Sequence, residues 1–108
     1  MRVRFDATLP LHALEDVATL SAIYADVEVC AGLQAFPPFV IFVRGGSLYK
    51  YGWQAVYFDS PPLVLLDGPQ IENARHEFIH HLLQMNTGDK DINHVSRFFT
   101  PLATGGCA

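Results

Sequence analysis

The sequence predicts an α+β fold: a single small domain, residues 1–108, with helices packed on a small, mostly antiparallel sheet. Three observations carry this expectation. Apolar residues recur at spacings of three and four in two stretches, the signature of helices with one buried face. Between those stretches lie short runs rich in β-branched and aromatic residues, bounded by Gly, Pro and Asp, which read as strands. The chain has 108 residues, 50% hydrophobic and 17% charged, enough for one packed core and not for two.

Residues 2–5 fit a short first strand. Leu11 to Tyr24 has helical spacing, with Leu14, Val17, Ala18 and Ile23 on one apolar stripe and His12 at the surface. Val27 to Cys30 alternates and reads as another short strand. Pro37-Pro38 punctuates the chain before Phe39-Val-Ile-Phe-Val43, a strand that Gly45-Gly46 turns back. Tyr49 to Phe58 reads as a second strand of a hairpin or meander, with Gly52 as a bulge. Asp59-Ser60-Pro61-Pro62 is a turn, and Leu63–Leu66 a short buried strand. Asp67-Gly68-Pro69 signals the start of a long helix, and Thr87-Gly88 its stop. Ile71, Ala74, Phe78, Leu82 and Met85 supply its core face, with His81 at the border. Residues 95–102 read as a last short helix or turn anchored by Phe98 and Phe99, and residues 103–108 as a flexible tail.

Composition narrows the function. A net charge of −4 argues against a general nucleic-acid or anionic-membrane binder, which needs a basic face. No apolar run is long enough to span a membrane. The N-terminus is interrupted by Asp6, His12, Glu15 and Asp16, so a cytosolic location is expected. Cys30 and Cys107 do not form a Cys-x-x-Cys pair. A disulfide between them is possible, but a small buried residue and a tail thiol is the preferred reading.

The chemistry concentrates in His76-Glu-Phe-Ile-His80. On a helix, positions i and i+4 share a face, so His76 and His80 can hold one metal ion from the same side. Glu77 lies beside that face, within reach of a water on the metal. Zinc accepts imidazole nitrogen readily, and a catalytic site takes three protein ligands and leaves one position for water. His94 is the leading third ligand, with Asp91 and Asp89 as rivals. The expected reaction is hydrolysis of a peptide bond by a zinc-bound water that Glu77 activates.

The stretch from His76 through the Asp89-Lys-Asp-Ile-Asn93 loop to His94 and Phe98 resembles the active-site region of SprT-like (Spartan-type) zinc metalloproteases. The resemblance implies a minimal zincin-like fold, in which an N-terminal helix and an active-site helix accompany the sheet. It implies His76, His80 and His94 as zinc ligands, Glu77 as general base and Asp91 as a supporting loop residue. Phe98 matches the aromatic residue four positions after the third histidine. Val95 stands where the family usually has Gly, the loop is about one residue shorter, and no basic patch is present. The resemblance therefore implies a protease core acting on a peptide or protein, with no nucleic-acid or membrane partner. The other reading is a non-catalytic module that uses zinc as a structural staple. Tyr57, Tyr51 and Arg97 are candidates for oxyanion stabilisation, and the edge strand at the cleft is either Tyr49–Phe58 or Leu63–Leu66.

Overall fold

The chain order is β1 (Val3–Phe5), α1 (Ala13–Ala31), β2 (Phe39–Val43), β3 (Ala55–Asp59), β4 (Pro62–Asp67) and α2 (Ala74–Thr87), followed by short 3-10 turns at Arg97–Phe99 and Leu102–Thr104. The computed structural model describes residues 1–6, 13–48, 51–68 and 71–108, with the side chains of residues 13–15 left out. His12, Leu11, Tyr49 and Pro69 lie outside the described residues; the strand expected over Tyr49–Phe58 is β3, which begins only at Ala55, with residues 51–54 in turns. The architecture is α+β, with a four-stranded mixed sheet in the order β1-β2-β4-β3.

The sheet is not mostly antiparallel. β1 pairs with β2 and β2 with β4 in parallel; only β3, on β4, runs antiparallel. The reason lies in the connections. α1 carries the chain from β1 back to the start of β2, which makes that pair parallel. The segment after Gly45-Gly46 then passes the neighbouring position and lays down β3 at the far edge. The turn at Ser60–Pro61, a cis bond, returns β4 into the gap between β3 and β2. The sequence of each strand fits its place. β2, and β4 up to its terminal Asp67, are apolar on both faces, as interior strands are, whereas β3 ends in two exposed residues, Phe58 and Asp59, as suits an edge.

α1 is longer than its spacing suggests. It absorbs Val27–Cys30, expected as a strand, and stops at Gly32, where φ is 68°. The alternation was misleading: Val27 is fully buried and Val29 is exposed because they lie on opposite sides of a helix. The buried stripe is Leu20, Tyr24, Val27 and Ala31, not the one centred on Val17 and Ala18. These residues pack with Val40, Phe42, Tyr57, Val64, Leu66, Phe78 and Leu82 in one core between the helices and one sheet face.

α2 begins at Ala74, later than the Asp67-Gly68-Pro69 signal. Asp67 instead ends β4, and its Oδ1 accepts the Gly46 N–H at 2.9 Å. Gly68 has φ 60°, a left-handed conformation that favours glycine, and lies against Gly45. The Gly88 stop is realised: Gly88 adopts φ 77° and its N–H bonds the Gln84 carbonyl.

Residues 103–108 are not a loose tail. Cys107 is fully buried and disulfide-bonded to Cys30 of α1, so neither cysteine is a free thiol. The Cys107 N–H donates to the Phe98 carbonyl, and Arg75 of α2 donates to the Cys107 carbonyl. Gly106 presses on the Thr100 carbonyl so closely that no Cβ fits there. Among the described residues no helix is long and apolar enough to cross a membrane.

Candidate metal centre

α2 is buried on almost every side between residues 77 and 83, which fixes its azimuth. Phe78 and Leu82 point into the core, whereas Met85, expected there, is exposed. The helix therefore holds His76, Glu77 and His80 toward a cleft of about 290 Å³ beneath β3. The loop after Gly88 folds back over the same cleft and delivers His94.

Three imidazole nitrogens converge. The Nε2 atom of His94 lies 3.0 Å from Nε2 of His76 and 3.0 Å from Nε2 of His80. One ligand atom from each histidine falls within 4.8 Å of the other two. Zinc–imidazole bonds of about 2.0–2.1 Å at tetrahedral angles would separate the nitrogens by about 3.3 Å. The three histidines can therefore hold a metal ion.

Tautomers follow from the partners. The Lys90 carbonyl can only accept, so His80 Nδ1–H donates to it at 2.6 Å, leaving the Nε2 lone pair for the centre. Burial, then the neighbouring His80 and His94 rings, push the His76 pKa down to about 4. Burial also lowers His80, against the pull of the Lys90 carbonyl. Both rings are thus held neutral, the form that binds metal. Burial pushes the Glu77 carboxyl up to about 7.

Asp91 supports the loop and lies outside the three-histidine cluster. Its two oxygens accept the Val95 and Ser96 N–H groups, each at 2.9 Å. Asp91 and His94 both sit in the left-handed region, at φ 58° and 56°, and the His94 N–H donates to the Asp91 carbonyl. Burial works against ionisation of Asp91, but the Ser96 and Val95 amides outweigh it and hold the carboxyl below its usual range. Asp89, the other rival ligand, accepts the Asp91 N–H. The carboxylates thus shape the loop that the third imidazole needs.

The aromatic residue at the centre is Phe99, not Phe98. Its ring lies 4.9, 4.5 and 4.6 Å from the rings of His76, His80 and His94. Phe98 instead carries the Arg97 guanidinium, 4.8 Å from its centroid. An adjacent Phe pair gives no sequence signal for which ring turns inward.

His81, expected at a border, is buried, and its pKa is lowered by burial. Its Nε2–H donates to the Phe36 carbonyl at 2.7 Å, so Nδ1 accepts the Tyr57 hydroxyl at 2.9 Å. Tyr57 is thereby committed to pinning β3 on α2, and its hydroxyl does not serve the cleft. Tyr51 stacks on Trp53, with centroids 5.1 Å apart.

Comparison with protein-family models, curated proteins and solved structures gives no match for this chain.

Proposed function

We propose that the chain is a zinc-dependent metallopeptidase with a zincin-like arrangement, acting on a peptide or protein. The observation that carries this reading is the convergence of three imidazoles beside a buried carboxyl in an open cleft. Zinc is the ion we assign, because an all-imidazole set with room for a further ligand suits it. Bound there, zinc would supply Lewis-acid polarisation of a carbonyl and would acidify water. His76, His80 and His94 hold the ion, and Phe99 and the Asp91-clamped loop hold the rings in place. Glu77 takes the proton of the attacking water and returns it to the leaving amine.

A peptide substrate is favoured by β3. The Asp67 N–H bonds the Gln54 carbonyl, and the β3–β4 register then makes Val56 and Phe58 the hydrogen-bonded positions. The amides and carbonyls of Ala55 and Tyr57 face the open edge, as strand addition by an extended chain requires.

The test is zinc-loaded Glu77→Gln beside the parent. The variant is expected to keep about one zinc per chain by elemental analysis and to lose peptide hydrolysis by about 100-fold or more. Equal rates would overturn the mechanism. Tight zinc without hydrolysis by either protein would leave the structural-staple reading in its place.

The compartment is a separate matter. Reducing cytosol keeps most thiols apart. We infer from the Cys30–Cys107 bond that the protein works in an oxidising compartment, against the cytosolic expectation. Alkylation of the freshly isolated protein, followed by mass measurement, would show whether the thiols are paired.

A further inference from the structure

We propose that the cleft selects its substrate by a bulky apolar side chain on the acyl side of the scissile bond, seated against Ile92. The proposal rests on the metallopeptidase reading and deepens it. Beside the histidines the cleft is walled by Ala55 of β3 and by Ile92 of the loop. Ile92 is 67% exposed and Trp53 41%. Large apolar side chains exposed together in a concave site mark a binding surface. Lys90 also lines the cleft, but its ammonium lies 3.5 Å from the Asp59 carboxylate, so it is already paired against an acidic side chain.

Direction follows from the chemistry. A contiguous cavity, lined by Gly52, Trp53, Gln54, Asn73, His76 and Glu77, forms the other end of the cleft. That end is polar, and Asn73 Nδ2 donates to Gln54 Oε1 across it at 3.1 Å. Trp53, Ala55, His76 and Glu77 line both cavities, whereas His80, Ile92 and His94 line only the first and Gln54 and Asn73 only the second. Since Glu77 protonates the leaving amine, the amine half lies toward Asn73 and the acyl half toward Ile92. Antiparallel addition to β3, which runs from Ala55 to Asp59, sets the same direction: the substrate's N-terminal half lies near Asp59 and its partner Lys90.

Trp53 is the single Trp of the chain, so its fluorescence reports the cleft. Zinc-loaded Glu77→Gln is titrated with short Ala/Gly peptides carrying Leu, Phe, Gly or Asp at one position. The Leu and Phe peptides are expected to bind about tenfold tighter or better than the Asp peptide. Adding Ile92→Asp, an exposed change that leaves zinc content alone, should abolish the difference. The parent enzyme should cut directly after the Leu or Phe, as read by mass spectrometry. Equal affinities, a preference that survives Ile92→Asp, or cleavage on the other side of the apolar residue would overturn the proposal. Preferential binding without cleavage by the parent would sink the peptidase reading and leave the apolar seat standing. Cleavage indifferent to the varied residue would do the reverse.

Discussion

At the scale of single residues, the three-histidine cluster depends on groups outside it. Asp91 is the clearest. Asp91→Ala would free the Val95 and Ser96 amides and relax the left-handed turn that aims His94. Loss of such an outer support lowers metal affinity by about 10- to 100-fold, so competition with a zinc indicator should show a drop of that size. Glu77 gives a pH prediction for the metal-free protein. Its folded pKa is about 7 against 4.5 for the ordinary group. Between those values the folded state keeps a proton that the unfolded chain has released, so stability falls as pH rises through this window. Glu77→Gln removes that loss. The metal-free variant should therefore gain on the metal-free parent from pH 4.5 to about 7, by an amount on the order of 3 kcal/mol, and no further above it. Urea titrations with chelator at several pH values would read the difference, and a constant gap would refute it. His76 acts in the opposite sense in both proteins, costing stability as pH falls from 6.5 toward about 4, and so cancels in the comparison.

At the scale of elements, the meeting of His76 and His80 was legible because i and i+4 on a helix is a local rule, and that of His94 because a loop histidine had few competitors. Phe39–Val43 was legible to the residue, since a β-branched and aromatic run between Pro and Gly has one reading. Val27–Cys30 was not, because four residues of alternating polarity fit a helix end as well as a strand. Strand pairing was also hidden. Nothing local in Tyr57 states that its neighbour is Val64 rather than a residue of β2. The C-terminal segment misled for a related reason: Gly105-Gly106 looks flexible, yet Gly106 is required because the chain packs on the Thr100 carbonyl. That segment links the disulfide to the metal site through the Cys107–Phe98 hydrogen bond and the adjacent Phe99 ring. The double variant Cys30→Ser/Cys107→Ser should therefore lose stability by about 2–4 kcal/mol and also bind zinc more weakly. Gly106→Ala should weaken zinc binding with the disulfide intact. Unchanged affinity in both would separate the tail from the centre.

At the scale of the whole molecule, a metal held by α2 and the loop after Gly88 would tie two parts of the chain whose histidines are 18 residues apart. Chelation should lower the melting temperature by about 10 °C or more, since a ligand at a thousand times its dissociation constant adds about 4 kcal/mol to a domain of this size. Calorimetry with and without chelator would check it, and overlapping traces would argue against a resident ion. The sheet carries a further consequence. β3 is an outermost strand, and outermost strands invite pairing with other copies of the same chain. A peptide lying along Ala55 and Tyr57 turns that strand into an interior one. Occupancy would then protect the protein from self-association, and the unoccupied chain would be the form most prone to aggregate.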